Sequence, residues 1–256
     1  MIHSHALIDP GATLAPDVEI GPFAVIGPNV EIGAGTRIGP HAVIQGPTRI
    51  GCNNHIFQFT SIGEAPQDKK YRGEPTELII GDGNTIREYC TINRGTVQGG
   101  GSTLIGDENW IMAYVHIAHD CHVGSHSIFA NAASLAGHVS VGDWAILGGF
   151  TLVHQFCTLG AHCFTAFGSV VGQDVPPYVL ISGHMARPHG LNTEGLRRRG
   201  FSSETLRQLR QAYKVIYRSG LTLDQAIARL QEMVEECPEV GLFVDALTKA
   251  TRGIIR

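Results

Sequence analysis

Residues 14–44 read LAPDVEIGPFAVIGPNVEIGAGTRIGPHAVI, and an aliphatic residue returns at every sixth position of this stretch. The register runs through most of the chain with two interruptions. It comprises 25 positions, of which 23 are Ile, Leu or Val and 13 are followed directly by Gly. The positions are Ile8, Leu14, Ile20, Ile26, Ile32, Ile38, Ile44, Ile50, Ile56, Ile62, Ile80, Ile86, Ile92, Ile105, Ile111, Ile117, Val123, Phe129, Leu135, Val141, Leu147, Val153, Leu159, Thr165 and Val171.

This six-residue period matches neither the 3.6-residue repeat of an α-helix nor the two-residue repeat of a plain strand. It matches a prism in which each flat face is a short strand and each corner is a turn, so that three hexads make one coil. The aliphatic side chains then stack inside, and each coil is stabilised by neighbours about 4.8 Å away. We expect glycine to relieve the steric limits on the backbone at the corners. The pattern predicts a mainly β protein, a parallel β-helix over residues 1–187.

Two segments interrupt the period. Between Ile62 and Ile80 the hexad positions would be Asp68 and Glu74, which are unsuited to a dry interior. We therefore predict a protruding loop at 64–78, and a second, smaller one at 98–103, where three consecutive glycines stand. Such loops are often tolerated insertions, but loops on a rigid scaffold also carry function.

The pattern after residue 187 is helical. Ser202 begins one predicted helix, with Phe201 and Leu206 as a hydrophobic staple, and Gly220 follows its end. Thr222 and Gln225 fit the capping box of a second helix that stops before Pro238, and a third is predicted from there to Gly253. Residues 188–256 are therefore predicted to form a C-terminal α-helical domain.

Composition limits the class of function. The net charge of −4 argues against a general nucleic-acid binder, although 12 of the 19 Lys and Arg residues follow residue 186. No apolar stretch reaches the roughly 18 to 20 residues of a membrane span, and the first basic residue, Arg37, comes too late for a signal peptide. Six cysteines without a C-x-x-C pair are typical of small buried thiols. We expect a soluble cytoplasmic protein.

Three histidines are predicted to share one outer edge of the prism. Residues 105–171 keep the six-residue register without a break, so residues 18 positions apart stack in successive coils. Gly137 therefore lies above His119, and Gln155 lies above Gly137. His138 then lies one coil above His119, roughly 6 Å away between backbones, and His154 lies in the next coil. The strip could bind a metal, perform catalysis or be accidental.

Metal binding is the weaker functional alternative, because His116 and His122 are six residues apart and so lie on different faces. A zinc site between subunits, as in the hexapeptide-repeat carbonic anhydrases, stays open. A neutral His suits general base work near neutral pH. Gly137, in the stacked position above His119, lets a substrate approach the backbone, so its N–H could donate to an oxyanion. This combination indicates acyl transfer, with no metal and no cofactor expected.

Seven segments carry a resemblance to a known family. They are QDKKY (67–71), INRGTVQGGG (92–101), HIAHDC (116–121), LAGHV (135–139), VHQF (153–156), QDVPPY (173–178) and NTEGLRRRGF (192–201). Together they resemble the UDP-N-acetylglucosamine O-acyltransferases that begin lipid A synthesis, and the resemblance covers essentially the whole chain. It implies the left-handed parallel β-helix of the hexapeptide-repeat acyltransferases and a homotrimer. It also implies transfer of an (R)-3-hydroxyacyl group from acyl carrier protein to the 3-hydroxyl of UDP-N-acetylglucosamine.

The resemblance also implies residue roles. His119 would be the general base, with Asp120 orienting or supporting it, and the Gly137 N–H would stabilise the oxyanion. The residues implied to hold the sugar and phosphates are Asp68, Lys70, His116, His138, His154 and Gln155. Those implied to bind the nucleotide end, partly from a neighbouring subunit, are Asn192, Glu194, Arg198 and Arg199. The alternative for the arginine run 197–199 is a solvated patch or a docking surface for the acidic carrier protein.

One position departs from part of the family. The end of the acyl groove is set there by a ruler residue, often Gly in enzymes that use longer chains, and Phe167 occupies that place here. A phenyl ring fills the space of several methylenes, each worth about 0.8 kcal/mol when buried. We therefore predict preference for a hydroxyacyl chain near ten carbons.

Three other functions are weighed against this prediction. The related N-acyltransferase of the same pathway carries an extra amino-terminal uridine-binding domain, whereas the hexads here begin at Ile8. A zinc-dependent hydratase would contain stoichiometric metal. A non-catalytic scaffold would only present loops. The sequence leaves open whether the sugar carries a 3-amine in place of the 3-hydroxyl.

Overall fold

The computed structural model describes residues 1–256, and its first two thirds form the predicted left-handed parallel β-helix. Strands of two to four residues, β1 to β25, follow one another around a triangular coil, and each pairs in parallel with the strand one coil away. Two longer strands, β26 and β27, close the third sheet. Three sheets result, which we call faces 1, 2 and 3 in the order that the chain visits them.

Face 1 contains β1 (Leu7–Ile8), β4 (Val25–Ile26), β7 (Val43–Ile44), β10 (Ser61–Glu64), β13 (Thr91–Asn93), β16 (His116–Ile117), β19 (Ser134–Leu135), β22 (Leu152–Val153) and β25 (Val170–Val171). Face 2 contains β2 (Thr13–Leu14), β5 (Val30–Ile32), β8 (Thr48–Ile50), β11 (Glu77–Ile80), β14 (Ser102–Ile105), β17 (His122–Val123), β20 (Ser140–Val141) and β23 (Thr158–Leu159). Face 3 contains β3 (Glu19–Ile20), β6 (Arg37–Ile38), β9 (His55–Ile56), β12 (Thr85–Ile86), β15 (Trp110–Ile111), β18 (Ile128–Phe129), β21 (Ile146–Leu147), β24 (Phe164–Thr165), β26 (Val179–Gly183) and β27 (Ala186–Leu191).

The hexad residues form the core of the prism. All 25 are buried except Ile8 and Leu14, which are half-buried in the open first coil. Thr165 is the one polar member, and its hydroxyl lies 2.6 Å from the hydroxyl of Thr151, so it is hydrogen-bonded inside the core. The aliphatic period therefore gave the correct interior.

The expected role of glycine at the corners holds at only a few positions, such as Gly35 (φ 69°) and Gly83 (φ 67°). Corner residues with positive φ are mostly not glycine, as at Asp120 (φ 61°) and His138 (φ 63°). The glycine after a hexad residue is needed for close approach of the next coil instead. A Cβ at Gly39 would lie 2.7 Å from the Gln58 backbone nitrogen.

The expected loop bounds also need correction, because the first loop is shorter at both ends and the second begins and ends earlier than predicted. Glu64 ends β10, and Glu77 and Leu78 belong to β11, so the first loop is 65–76. The second excursion is 94–101, because Ser102 and Thr103 belong to β14, and it contains a 3-10 turn at Val97–Gly99. Each loop fills a single step from face 1 to face 2, so both protrude from the same corner.

The C-terminal part contains four helices: α1 (Thr193–Arg198), α2 (Ser203–Tyr217), α3 (Leu223–Val234) and α4 (Gly241–Lys249). The predicted Ser202 cap and the Thr222–Gln225 capping box are present. The predicted boundary after residue 187 falls inside β27, which pairs antiparallel with β26 and joins the prism to α1. Helix α1 was missed, because its six residues carry no apolar period. No helix in the chain has the length and apolar character that crossing a membrane requires.

Candidate active site

The corner between faces 1 and 2 collects the loops and the histidine strip, and we call it the catalytic corner. Five consecutive coils contribute to it: loop 65–76, loop 94–101, and the turns 118–121, 136–139 and 154–157. Because each of these segments follows a strand of face 1, the coil geometry stacks them along one edge. Asp68 and His154, which are 86 positions apart in the chain, thus lie along the same edge of the prism.

His119 and Asp120 form a hydrogen-bonded pair at the centre of this corner. Nδ1 of His119 lies 2.7 Å from Oδ2 of Asp120. The carboxylate is fully buried, whereas the imidazole keeps 14% of its surface exposed. An ionised carboxylate only accepts hydrogen bonds, so Nδ1 carries the hydrogen and Nε2 carries the lone pair.

Gly137 provides the space that the His119 ring occupies. A Cβ at this position would lie 2.6 Å from Cε1 and 2.9 Å from Nε2 of His119. The Gly137 N–H donates no hydrogen bond within the chain. The basic nitrogen and an unused backbone donor are therefore neighbours, as the three-hexad spacing predicted.

His138 lies against the same pair from the next coil. Its Nε2 is 3.6 Å from Oδ2 of Asp120, and its ring meets that of His119 edge to face at 5.2 Å. Phe156 stacks on its other side at 4.4 Å. Burial lowers the pKa of His138, which the negative charges of Asp120 and Asp68 partly offset. Asp68 of loop 65–76 is thus close enough to act on the charge of this imidazole.

His116 lies on face 1 beside the corner. Its Nδ1 is 2.7 Å from the Thr91 hydroxyl, one coil below. Burial, with a smaller effect of His119, lowers the pKa of His116 and favours its neutral form. A neutral imidazole here can exchange hydrogen bonds with an uncharged hydroxyl or amide of a ligand.

Three other predicted residues lie at the corner with exposed side chains. Nδ1 of His154 is 3.1 Å from the Gln155 carbonyl, and both residues point to solvent. Lys70 is exposed on loop 65–76, where its backbone N–H donates to Oδ1 of Asp68 at 2.9 Å.

Asn192, Glu194, Arg198 and Arg199 form a separate group. They line a cavity of about 460 Å³ at the corner between faces 2 and 3, together with Trp144. Within one chain they are therefore not brought to the catalytic corner. Arg198 pairs with Glu194 at 3.1 Å on the exposed side of α1.

Asn192 has a structural part in this group. Its Oδ1 accepts from the Gly195 N–H as the cap of α1, and its Nδ2 donates to the His162 carbonyl at 3.0 Å. Arg199 lies over the Trp144 ring and its Nη1 donates to Nδ1 of His162 at 3.2 Å. The helix is thereby fixed to the prism.

His162 should make the free energy of unfolding of the protein depend on pH. Burial and the charge of Arg199 lower the pKa of His162 from its ordinary 6.5 to about 4. The unfolded chain then takes up a proton first as pH falls, so His162 lowers the free energy of unfolding progressively between pH 6.5 and 4. We expect the melting temperature of His162→Asn to fall less steeply over this range than that of wild type. The exposed His189→Asn is the control, and equal slopes for wild type and His162→Asn would contradict the assignment.

Phe167 lies at the corner between faces 3 and 1, with 86% of its surface exposed. Face 1 separates it from the catalytic corner and presents Ser134, Leu152 and Val170 outward between them. A single chain gives Phe167 no opposing wall.

His119, Asp120 and His138 also offer three ligand atoms within 4.8 Å of one another. However, Oδ2 of Asp120 already accepts from two donors, His119 and Thr96. A cation on Nδ1 of His119 would have to displace the hydrogen that makes this bond. The arrangement fits proton transfer better than metal binding.

The threonines around the pair were not predicted from the sequence. Thr96 donates to both oxygens of Asp120, and Oγ1 of Thr103 accepts from the Asp120 N–H at 2.8 Å. Ile62, Ile92 and Ile117 stack in one column of face 1, and this stacking places loop 94–101 at the corner. The stacking could not be read from the sequence, because the two loops make the spacing between these residues irregular.

Comparisons with known proteins show the family of the chain. Residues 174–255 match the family model described as "Udp N-acetylglucosamine O-acyltransferase; Domain 2", and residues 1–34, 17–46 and 102–137 match "Bacterial transferase hexapeptide (six repeats)". An acyl-[acyl-carrier-protein]--UDP-N-acetylglucosamine O-acyltransferase of Thiobacillus denitrificans is 66% identical over 100% of this chain and 99% of its own.

Solved structures give the same result. LpxA from Acinetobacter baumannii superposes with a TM-score of 0.98 at 51% identity, covering 100% of this chain and 99% of its own. The UDP-N-acetylglucosamine O-acyltransferase from Moraxella catarrhalis gives 0.98 at 46% identity, with the same coverage.

Proposed function

The chain belongs to the UDP-N-acetylglucosamine O-acyltransferase family, and we propose that it performs the family's reaction at the catalytic corner, with His119 as the base. It is an acyltransferase of the first step of lipid A synthesis, which moves an acyl group from acyl carrier protein to UDP-N-acetylglucosamine. We propose the (R)-3-hydroxyacyl thioester as donor and the glucosamine 3-hydroxyl as acceptor.

His119 begins the reaction by accepting a proton. Its Nε2 takes the hydrogen of the 3-hydroxyl while the 3-oxygen attacks the thioester carbonyl carbon. The positive imidazolium is stabilised by the buried carboxylate of Asp120, which is hydrogen-bonded to Nδ1 at 2.7 Å. Asp120 is thus a positioning residue that keeps Nε2 free and directed at the substrate.

Gly137 supports the tetrahedral intermediate. As the new C–O bond forms, the carbonyl oxygen becomes negative and accepts from the Gly137 N–H. Collapse of the intermediate breaks the C–S bond, and His119 returns its proton to the sulfur of the carrier's thiolate. All protons and electron pairs are then accounted for without a cofactor.

The single observation that carries this proposal is the His119–Asp120 pair lying over Gly137. The experiment is an assay of acyl carrier protein thioesters of several lengths against UDP-N-acetylglucosamine and against its 3-amino analogue. We expect turnover with the 3-hydroxyl sugar. Faster turnover with the 3-amine would assign the other acceptor, and none with either would refute the proposal.

The other predicted residues are proposed to bind the sugar nucleotide. We propose that Asp68, His116 and His138, which lie at or beside the catalytic corner, hold the sugar, and that the exposed Lys70, His154 and Gln155 bind the phosphates. Asn192, Glu194, Arg198 and Arg199 lie at another corner of the prism, so we propose that they reach the nucleotide from a neighbouring copy. A cyclic homotrimer provides this arrangement, because each copy presents one corner of each kind to its neighbours.

Phe167 is proposed to limit the acyl chain, with a neighbouring copy forming the opposite wall of the groove. Four buried methylenes are worth about 3 kcal/mol, or roughly a hundredfold in rate. We expect wild type to prefer the ten-carbon donor to the fourteen-carbon donor, and Phe167→Gly to reverse this preference. Competing thioesters in one reaction measure the ratio, and a fourteen-carbon preference in wild type would refute the role of Phe167.

We propose a cytoplasmic location for the protein. All six cysteines are free thiols, and Cys121, Cys157 and Cys163 are fully buried. Reduced thiols are typical of the compartment in which acyl carrier protein supplies its thioesters.

A further inference from the structure

Loop 94–101 contacts the catalytic pair directly, and we propose that Thr96 is the positioning residue that fixes the Asp120 carboxylate and, through it, the hydrogen on His119 Nδ1. The inference rests on the proposed function, since it concerns how the base is kept ready. It assigns a catalytic purpose to a loop that otherwise only interrupts the coil.

Thr96 binds both oxygens of the carboxylate. Its backbone N–H donates to Oδ1 of Asp120 at 2.7 Å, and its hydroxyl donates to Oδ2 at 2.7 Å. Thr96 is 1% exposed and the Asp120 side chain is fully buried, so no water competes for these bonds. Two donors from one residue leave the carboxylate no freedom to rotate.

The direction of the hydroxyl bond is also determined. Thr96 caps the 3-10 turn Val97–Gly99, and its Oγ1 accepts from the Gly99 N–H at 3.2 Å. The single hydroxyl hydrogen is therefore left for Asp120. Oδ2 then accepts from Thr96 on one side and from Nδ1 of His119 on the other, which leaves Nε2 as the base.

Gly99 places the turn against the carboxylate. A Cβ at Gly99 would lie 2.0 Å from Cγ of Asp120, so any larger residue would displace the carboxylate or the turn. The loop is therefore packed on Asp120 as closely as the backbone permits.

The experiment is a double-mutant cycle between Thr96 and Asp120. Thr96→Val removes a hydrogen bond to a charged carboxylate. We expect this loss to lower kcat about tenfold and to leave KM for the sugar nucleotide unchanged. Thr96→Ser keeps the hydroxyl and should restore most of kcat. In an Asp120→Ala background, Thr96→Val should have no further effect, because its partner is already absent.

Thr36→Val is the matched control. Thr36 is another fully buried threonine, and its hydroxyl donates to the Gly51 carbonyl at 2.9 Å, near the N-terminal end of the prism and away from loop 94–101. Loss of this hydroxyl should leave kcat unchanged. Melting temperatures of all variants show whether each is folded, and Gly99→Ala is the second probe if Thr96→Val does not fold. Gly99→Ala should lower kcat in the wild-type background. It should not lower kcat further in the Asp120→Ala background, because the carboxylate that the new methyl group would meet is then absent.

The outcomes separate this inference from the proposed function. Wild-type turnover in Asp120→Ala would overturn the proposed role of Asp120, and this inference with it. If Asp120→Ala is impaired but Thr96→Val is not, only the inference is overturned. Equal losses from Thr96→Val in both backgrounds would likewise overturn it, because they would show a purely structural role.

Discussion

Replacement of His119 by alanine is expected to lower kcat at least about 100-fold, the usual contribution of a general base. The fold should survive, because the imidazole is partly exposed and its removal leaves the hexad core untouched. The measurement is the rate of free carrier thiol formation at saturating UDP-N-acetylglucosamine, with the melting temperature taken on the same samples.

His122→Ala is the matched control for this prediction. His122 is exposed on the same coil and begins β17 on face 2, and none of the side-chain hydrogen bonds of the His119–Asp120 pair involves it. It should retain its activity. Unchanged turnover in His119→Ala would exclude His119 as the base, whatever the family membership of the chain.

Gly137→Ala is expected to reduce kcat on the order of 100-fold, because misplacing a catalytic group by about 1 Å can cost that much. The added methyl group would lie 2.6 Å from Cε1 of His119, so the ring must move. Steady-state kinetics measure the loss, with Gly241→Ala as control, since nothing lies within 4 Å of a Cβ there.

A second variant distinguishes this clash from a general loss of stability. In His119→Ala the ring that the new methyl group meets is gone, so adding Gly137→Ala should then leave the melting temperature almost unchanged. A large further drop in the double variant would show that the methyl group disturbs the coil rather than the imidazole.

Much of the fold could be predicted from the sequence, because one contact repeats in every coil: the stacking of a buried hexad residue on its equivalents in the coils above and below. A buried aliphatic residue at every sixth position fixes both the coil and the residues that stack above one another, so His119, Gly137 and His138 could be placed together from their numbers alone. Capping residues such as Ser202 and Thr222 likewise act through neighbours in the chain.

The remaining features depend on contacts that do not repeat. Loop 94–101 does not follow the six-residue period. The contact between Thr96 and Asp120 therefore could not be predicted from residue spacing. Asn192 has the chemistry of a ligand-binding residue, yet its contacts within the chain are those of a helix cap. The sequence did not show why glycine follows the hexad residues. The cause is the close approach of the neighbouring coil, and the sequence of a single coil does not reveal that contact.

The most direct test of the account is the structure of this protein with UDP-N-acetylglucosamine bound. We predict the glucosamine 3-oxygen within hydrogen-bonding distance of Nε2 of His119, with the Gly137 N–H directed at the adjoining space where the thioester carbonyl would lie. A 3-oxygen placed against another side chain, with Nε2 of His119 turned away from the sugar, would contradict it.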